Sequence, residues 1–371
     1  MKILIEAIGI DKPGGGRTSI INLLENMFKL DFRNNYTILV TKHEPIFDQF
    51  INVAQIIVPI RNRFLIRLWA QLVIPIRFRN FDLVHFTKNL SVFFINIPSI
   101  ITIHDLTVLV YPQFSPWIDV LYWKTVQKWS VQRSSLIIAV SNNTARDIQK
   151  YYNIGFEKIT VIYHGIASFY KPATPLEQQR VIMKYGLPRN YIITVGRIDL
   201  KKNLTSLIKA YASIQGKIDP SIKLVFVGEV YKKSDDKALV PTIGNYRLND
   251  KVIFTGQVPD EDLPGLYSGA ILCVFPSLHE GFGLVALEAL ACGVPLISHN
   301  SSATVEVVQD SGVKVDAGNV SELGSAIVKV ISDDKLKEQL RISGLIQAKK
   351  FDWQKAAEQT LDTYSKIYKN V

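Results

Sequence analysis

The stretch FPSLHEGFGLVALEALACGVPLISHNSSATVE, residues 275–306, decides the fold of this chain. The apolar run that ends at Phe275 predicts a strand, the glycine-punctuated segment 277–283 predicts a turn, and residues 284–292 have the periodicity of a helix. Gly293 ends that helix, and the apolar residues after it begin a second strand. Strand, helix and strand in this order form one unit of an open parallel sheet, so the sequence predicts an α/β fold.

The turn between the first strand and the helix is the expected ligand site, because open parallel sheets bind ligands beyond the carboxyl ends of their strands. Gly281 and Gly283 permit a close approach to the backbone, and the amides that open the helix suit a phosphate. Glu280 and Glu288 are anionic, so they are expected to accept hydrogen bonds from hydroxyl groups. A ligand with central phosphates and hydroxyls on either side is a nucleotide sugar.

Glu280, Gly281, Phe282, Gly283 and Glu288, with seven residues between the two glutamates, resemble the EGFG…E signature of retaining glycosyltransferases of family 4, within glycosyl transferases group 1. The resemblance covers nearly the whole chain, and its first half is similar to mannosyl- and rhamnosyltransferases. It implies the GT-B fold, which is α/β with two Rossmann-like parallel-sheet domains that face a central cleft.

The resemblance also implies how the chain divides. Residues 1–168 would form an N-terminal acceptor-binding domain, to which a C-terminal helix at about 352–371 crosses back. Residues 180–351 would form the nucleotide-sugar-binding domain. The segment 168–179, rich in proline and polar residues, is interpreted as a linker.

Within the second domain, the resemblance implies a role for each residue of the signature. Glu280 would hold hydroxyls of the donor sugar, and Glu288 would hold the ribose. The amides around Phe282, Gly283 and Leu284 would hold the diphosphate.

Two cations, Arg197 and Lys202, follow the first strand of this domain in the segment GRIDLKKN, which resembles the phosphate site of the family. The diphosphate leaving group gains negative charge as the glycosidic bond breaks, so two fixed cations would stabilise the transition state more than the ground state. Solvated surface cations are the alternative. Gly228 ends the next predicted strand and is expected near the nucleotide.

Two features of the first half are expected to contact the donor. Gly15 and Gly16, in a turn before a helix predicted from Thr18, would approach the donor phosphates by the resemblance, and a plain tight turn is the alternative. Ser19 stands where the fingerprint GxGxxG requires glycine, which disfavours a nicotinamide or flavin enzyme. His104 lies in the segment TIHDL, which resembles the family's motif at this point. By that resemblance it is expected to contact the departing sugar, either by donating a hydrogen bond or by shielding positive charge, and a structural histidine is the alternative.

Residues 61–81 interleave arginines with aromatic and aliphatic residues, and Pro75 is expected to break the segment in two. This composition suits a membrane interface that carries anionic lipid, with Arg61, Arg63, Arg67 and Trp69 as the contacts. A core helix whose arginines extend to solvent is the alternative.

Composition limits the class of protein. The 371 residues are 47% hydrophobic, which is enough for two cores, and 43 basic against 33 acidic residues give a net charge of +10. That charge suits phosphorylated substrates or an anionic surface. Cys273 and Cys292 lack the spacing of a metal site and are expected to be reduced, as in a cytosolic protein.

The sequence predicts neither a metal nor another cofactor. The acidic residues 260–262 resemble a DxD motif, but they begin a predicted helix, where their charge complements the helix dipole. The longest apolar tract, 92–103, is too short to span a bilayer. Any membrane contact would therefore be peripheral, at the inner face of the cytoplasmic membrane.

By its resemblance to this family, the chain is expected to be a glycosyltransferase that moves a hexose from a nucleotide diphosphate sugar with retention of anomeric configuration. GDP-mannose is favoured as donor over UDP-glucose, and the acceptor is a lipid-linked or polysaccharide glycan of the cell surface. Nucleic acid is not an expected partner. Two alternatives remain: a nucleotide-sugar epimerase, which needs no acceptor, and a non-catalytic subunit that binds nucleotide sugar or glycan without turnover.

Overall fold

The computed structural model describes residues 1–12, 14–90, 92–229 and 238–369, with the side chains of Arg63 and Lys369 left out. The chain divides into two compact units. Unit 1 comprises Met1–Gly165 and Asp352–Val371, and unit 2 comprises Ile166–Phe351.

Each unit is built on a parallel sheet. The strands of unit 1 are β1 (Lys2–Glu6), β2 (Asn35–Val40), β3 (Val53–Ile57), β4 (Leu83–Phe86), β5 (Ser99–Ile103), β6 (Leu136–Ala139) and β7 (Ile159–Val161). The strands of unit 2 are β8 (Tyr191–Val195), β9 (Lys223–Val227), β10 (Val252–Gly256), β11 (Leu272–Phe275), β12 (Leu296–His299) and β13 (Val313–Val315). The orders are β3-β2-β1-β4-β5-β6-β7 and β10-β9-β8-β11-β12-β13. Both orders reverse, beside β1 and beside β8, where open sheets bind ligands.

Helices connect the strands. They are α1 (Gly15–Leu30), α2 (Arg63–Arg77), α3 (Thr107–Val110), α4 (Trp117–Tyr122), α5 (Lys128–Arg133), α6 (Asn142–Tyr152), α7 (Pro175–Lys184), α8 (Leu204–Ser213), α9 (Leu239–Asn245), α10 (Leu263–Ser268), α11 (Leu284–Ala291), α12 (Thr304–Val308), α13 (Val320–Ser332), α14 (Asp334–Ala348) and α15 (Trp353–Lys369). The predicted α/β class with two parallel sheets is confirmed.

The cores of the two units form on these sheets. Every residue of β5 and of β11 is buried, because helices cover both faces of each sheet. In unit 1, Ile101 of β5 belongs to the same buried cluster as Ile148 of α6. In unit 2, Val274 of β11 shares a cluster with Leu207 of α8. These continuous apolar runs explain why the strands could be predicted from the sequence.

The final helix, α15, belongs to unit 1, where it packs against α1. Its Tyr364 hydroxyl lies 2.6 Å from Nδ1 of the buried His85, and Nε2 of that ring lies 2.7 Å from Oγ1 of Thr102. Burial lowers the pKa of His85 to about 3. His85 is therefore a neutral structural residue that ties α15 to β4 and β5.

Helix α1 begins at Gly15 rather than at Thr18. Gly15 and Gly16 are therefore its first residues, and the predicted turn is shorter. Gly14 precedes them with φ +130°, a conformation that favours glycine. Pro13 of the predicted turn lies outside the described residues.

Pro75 does not break the segment 61–81, because α2 runs through it to Arg77. Proline removes only its own N–H, and this one lies in the last turn, where the amide of Phe78 still donates to Ile74 at 3.1 Å. One helix with one exposed face results.

Helix α7 begins inside the predicted linker. Thr174 and Glu177 form a reciprocal capping box, and Pro175 occupies the first turn, where its missing N–H costs nothing. Only residues 168–174 of the predicted linker remain outside a helix.

Candidate active site

The loops that follow β8 and β9 touch each other at the carboxyl edge of the sheet in unit 2. Gly196 has φ +127° and Gly228 has φ +142°. A Cβ atom on Gly228 would lie 2.2 Å from the carbonyl oxygen of Gly196. Gly228 was predicted to lie near a nucleotide. In the structure, the close contact of its backbone with that of Gly196 already requires glycine at this position.

An ion pair joins the loop after β8 to the loop after β11. Nζ of Lys202 lies 2.5 Å from Oε1 of Glu280, and both side chains are mostly buried. The Ser277 hydroxyl donates to the same carboxylate oxygen at 2.6 Å. The amide of Leu278 donates to the carbonyl of Lys201 at 2.9 Å, which fixes the register of the two loops.

This environment keeps the Glu280 carboxylate ionised. Burial by itself raises its pKa, but the charges of Lys202 and Lys201 and the hydrogen bonds from Lys202 and Ser277 outweigh burial. The net result is a pKa of about 2, well below the ordinary value. Glu280 is therefore a hydrogen-bond acceptor near neutral pH and not an acid.

Arg197 and Lys202 line one recess, together with Gly196 and residues of β8, β9 and β11. Asp199, in the same loop, has a pKa raised by burial, which the nearby cations Lys202, Lys201 and Arg197 partly oppose. The two cations predicted from the sequence are thus brought together at one edge of the sheet, where an anionic ligand would find them.

The N-terminus of α11 borders the same loop. Gly283 precedes the helix with φ +102°, and within the described part of the chain no side chain caps the first amides. Gly281 is buried in this loop, and the side chain of Leu284 is partly exposed. The Phe282 ring is buried against Phe351, with ring centroids 5.6 Å apart, so only the backbone of Phe282 is suited to a ligand.

Glu288 lies one turn further along α11 and is 8% exposed. Its Oε2 accepts a hydrogen bond of 2.9 Å from the Tyr267 hydroxyl. Tyr170 also hydrogen-bonds to Glu288. Burial raises the pKa of Glu288 to about 7, despite the two tyrosine hydrogen bonds that lower it. Sequence reasoning missed both tyrosines, because neither lies in a recognisable motif.

His104 follows β5 in unit 1. Its Nε2 lies 2.7 Å from the carbonyl oxygen of Thr87, which can only accept, so Nε2 carries a hydrogen. Burial lowers the pKa of His104, and the ring is neutral near pH 7. The ring thus offers Nδ1 as an acceptor, whereas donation to a sugar hydroxyl, as expected from the sequence, would require the bond to Thr87 to break.

The His164 ring packs at a tilt against His104, with ring centroids 5.4 Å apart, and against Trp353 of α15 at 5.1 Å. Burial lowers its pKa as well. A Cβ on the adjacent Gly165 would lie 2.1 Å from the amide nitrogen of Trp353. These contacts position the His104 ring through a neighbour to which the sequence assigned no role.

Lys88, which sequence reasoning also missed, lies against the glycine-rich loop of unit 1. Its Nζ donates to the carbonyl of Gly9 at 2.8 Å, and its Cε would be 3.7 Å from a Cβ on Gly16. The only sequence signal was its position two residues after β4. The start of α1, where Gly15 and Gly16 lie, therefore has a cation beside it.

Asp262 was interpreted as complementing a helix dipole, and the structure gives it another role. It is fully buried before α10, and its carboxylate pairs with Arg180 and Lys184 of α7 at 2.7 and 2.6 Å. The Tyr185 hydroxyl donates to it at 2.7 Å. Across residues 1–12, 14–90, 92–229 and 238–369, no group of three or more His, Cys, Asp or Glu side chains is placed to hold a metal ion.

The predicted membrane contacts, one just before α2 and three within it, differ in exposure. Arg61 is exposed, and the Arg63 side chain lies outside the described part of the structure. Arg67 faces the protein, because it pairs with Asp119 at 3.2 Å and its guanidinium carbon lies 3.9 Å from the centroid of the Tyr122 ring. Trp69 packs against the core of unit 1. Among the described side chains of α2, the exposed ones are Arg77 at its end and five apolar residues: Phe64, Leu65, Leu68, Leu72 and Ile76.

Taking the described residues alone, every helix falls short of the length and apolar character needed to cross a bilayer.

Comparison with known families identifies both halves of the chain. The family of glycosyl transferases group 1 matches residues 177–345. Glycosyltransferase family 4 matches residues 13–168.

Individual proteins extend the comparison. The O-antigen chain mannosyltransferase B of Escherichia coli is 32% identical over 267 residues, which cover 72% of this chain and 70% of that protein. The serotype-specific mannosyltransferase WbdA of Escherichia coli is 27% identical over 238 residues, 64% of this chain but 29% of that longer protein. The crystal structure of Anabaena HepE in complex with UDP and glucose has a TM-score of 0.79 at 21% identity, over 98% of this chain and 99% of that chain, and shows the same fold.

Proposed function

Since this chain belongs to the GT-B glycosyltransferases of family 4 and is a glycosyltransferase, we propose that it transfers mannose from GDP-mannose, with retention of anomeric configuration. The proposed acceptor is a lipid-linked or polysaccharide glycan of the cell surface. Two relatives with mannosyltransferase names support the sugar and the pathway, one of them an O-antigen chain enzyme. The neighbour that holds UDP and glucose supports a nucleotide-sugar donor and keeps UDP-glucose as the second choice.

The observation that carries this proposal is the ion pair of Lys202 with Glu280, whose lysine lines a recess together with Arg197. A nucleotide sugar presents sugar hydroxyls and a diphosphate side by side. An ionised carboxylate held against a cation matches that pair of groups, since the carboxylate accepts from hydroxyls and the cations attract the phosphates.

Arg197 and Lys202 would stabilise the leaving diphosphate. Negative charge grows on the phosphate oxygen as the glycosidic bond breaks, so fixed cations in a partly dry recess lower the barrier more than they strengthen binding. The amides of Gly283 and Leu284 at the start of α11 would add hydrogen bonds to the same group. Because these residues supply positive charge, we propose that transfer needs no metal ion and no other cofactor.

Glu280 would orient the sugar. Its low pKa excludes proton donation near neutral pH, and its contact with Lys202 makes it a poor nucleophile. An oxygen of the leaving phosphate is then the group that takes the proton of the incoming hydroxyl on the same face, which accounts for retention without a covalent intermediate. His104 would accept a hydroxyl hydrogen bond from the sugar through Nδ1.

We also propose that α2 contacts an anionic membrane surface and brings the enzyme to a lipid-linked acceptor at the inner face of the cytoplasmic membrane. Its outward face exposes Leu65, Leu68, Leu72 and Ile76 by 57%, 56%, 59% and 74%. Large apolar side chains so exposed along one helix face are typical of an interaction surface.

Charge near α2 favours a membrane over a protein partner. Residues 61–79 and 117–133 contain eight lysines and arginines and one acidic residue, Asp119. That acidic residue is already paired with Arg67, which joins α2 to α4. Trp117, 75% exposed at the start of α4, adds an aromatic side chain of the type enriched at lipid interfaces.

The test of function is transfer itself. The protein is incubated with GDP-mannose or UDP-glucose and a lipid-linked acceptor extract, and the glycolipid product and the free nucleotide are both quantified. Transfer that requires the acceptor supports the proposal. An altered sugar nucleotide formed without acceptor would indicate an epimerase, and donor binding without any product would indicate a non-catalytic subunit.

A further inference from the structure

Two buried tyrosines hold the carboxylate of Glu288 from two different segments of unit 2. Tyr267 lies in α10 and is fully buried, and its hydroxyl donates to Oε2 at 2.9 Å. Tyr170 is 7% exposed, lies in the segment that enters unit 2 after Gly165, and hydrogen-bonds to the same carboxylate. The two tyrosine rings are 6.5 Å apart.

The segment that carries Tyr170 is fastened in place. The amide of Ala173 donates to the Ser268 hydroxyl at 3.0 Å, and that hydroxyl donates to the carbonyl of Cys292 at 3.0 Å. Gln178 of α7 donates to the carbonyl of Ala173 at 2.8 Å. Tyr170 is therefore held against α10 and α11 and does not lie loosely on the surface.

The electrostatic environment of Glu288 depends on these two hydroxyls. Burial raises its pKa, the hydrogen bonds from Tyr267 and Tyr170 lower it, and the result is about 7. Burial also raises the pKa of both phenols, so both stay protonated donors. The ionisable groups that face this cluster are Tyr267, Tyr170, Asp260, Lys202, Cys273 and Cys292.

We propose that Tyr170 and Tyr267 are positioning residues that orient Glu288 and keep it ionised, so that its remaining lone pairs accept the two ribose hydroxyls of the donor. A carboxylate has about four acceptor positions, and two tyrosine hydroxyls leave the others available. The inference rests on the proposed function, because it requires a nucleotide sugar as the ligand. It also makes donor binding strengthen as Glu288 loses its proton.

The test measures binding of GDP-mannose, without acceptor, by calorimetry across a pH series. This ligand is suitable because its diphosphate is esterified at both ends and does not titrate near neutral pH. The variants are Tyr170→Phe and Tyr267→Phe, each of which removes one hydroxyl and keeps the ring. Tyr211→Phe is the matched control, because Tyr211 is also buried in unit 2 and its hydroxyl donates to the carbonyl of Ile222, away from Glu288.

The native protein should bind more tightly as the pH rises through the pKa of Glu288. Each tyrosine variant should move the midpoint to higher pH by about half a unit or more, because a hydrogen bond that favours the carboxylate is lost. Glu288→Gln should bind weakly with a flat profile, and Tyr211→Phe should match the native midpoint.

A tyrosine variant that binds more weakly at every pH with an unmoved midpoint would show a merely structural role and overturn the inference. A 2′-deoxy analogue of GDP-mannose extends the test. The native protein should bind this analogue more weakly than GDP-mannose, and Tyr267→Phe should weaken binding of the analogue little further. If the native protein binds neither GDP-mannose nor UDP-glucose at any pH, the proposed function itself fails. Binding with unmoved midpoints rejects the tyrosine inference alone.

Discussion

The amino group of Lys202 lies 2.5 Å from Oε1 of Glu280, although the two residues are 78 positions apart in the chain. The contact crosses from the loop after β8 to the loop after β11, which are neighbouring strands in the sheet. It joins the two loops and keeps the Glu280 carboxylate charged. A partly buried pair of this kind is costly to break from one side, because the remaining charge has no partner.

Replacing Lys202 by alanine should lower transfer from GDP-mannose by about 100-fold or more, since a fixed charge that faces the leaving phosphate is lost. The variant should also be about 1–3 kcal/mol less stable, because Glu280 is left without its cation. Steady-state transfer and urea unfolding measure the two effects. Lys209→Ala, an exposed lysine of α8, is the matched control. The double variant Lys202→Met with Glu280→Gln should regain stability but not activity, and near-normal transfer in either variant would contradict the site.

Gly228→Ala should destabilise the protein by about 2–4 kcal/mol, because the new Cβ would meet the Gly196 carbonyl and φ at this position is positive. Chemical denaturation measures the change. Gly216→Ala is the control, since a Cβ there meets open space and φ is not positive, and its effect should stay within about 0.5 kcal/mol. Equal stability of the two variants would argue against the close crossing of the loops after β8 and β9.

Glu288→Gln should change how stability depends on pH. The pKa of Glu288 is raised from 4.5 to about 7 in the folded protein, so the folded state holds this proton more tightly than the unfolded chain does. Its contribution to stability is present below pH 4.5 and is lost as the pH rises through about 7. Over that window the loss amounts to about 3 kcal/mol.

Glutamine has no proton to lose, so the melting temperature of Glu288→Gln should rise relative to the native protein between about pH 5 and about pH 8. Thermal unfolding in a buffer series measures the difference. Glu338→Gln serves as the control, because Glu338 is exposed and Arg341 lowers its pKa. A constant difference between Glu288→Gln and the native protein would mean that Glu288 is already ionised at pH 5.

Leu68→Ser combined with Leu72→Ser should weaken binding to vesicles that contain anionic lipid by about 10-fold or more, because two exposed side chains lose the apolar surface that would insert. Co-flotation with vesicles measures this, and added salt should weaken binding of the native protein as well. Leu176→Ser is the control, since Leu176 is 77% exposed on α7 of the other unit. Equal binding to neutral vesicles would contradict the electrostatic part of the proposal. Unchanged binding of the double variant would show that α2 is not the membrane contact.

The local order of strands and helices followed from the sequence. Buried parallel strands have the pattern of continuous apolar runs, and Ser141, a residue type that favours the N-cap, accepts from the amide of Thr144 at the start of α6. Predictions were less accurate where a local signal depends on its position in the element. Pro75 ends a helix in the middle of its length but not in its last turn, and the start of α7 was hidden in a polar segment that also resembled a linker.

The direction of side chains was predicted less well from the sequence than the order of the elements. The composition of residues 61–81 predicted membrane contact for both the arginines and the apolar residues. Which of these side chains face solvent depends on the residues that pack beneath the helix. Arg67 turns inward because Asp119 and Tyr122, more than 50 positions later, are beneath it. The exposed face is therefore mostly apolar, which the periodicity of α2 alone does not predict.

The sequence by itself determined the family, the parallel sheets and the motif residues of unit 2, because these depend on patterns between neighbours in the chain. Only the tertiary structure decided which charges meet and which groups ionise. Glu280 and Glu288 are eight positions apart, yet their pKa values are about 2 and about 7. Both are largely shielded from solvent, but Lys202 forms an ion pair with the first from a distant loop, whereas two neutral tyrosines donate hydrogen bonds to the second. Folding decides which groups become neighbours, and these neighbours set the charge of each carboxyl group. The local sequence does not determine them.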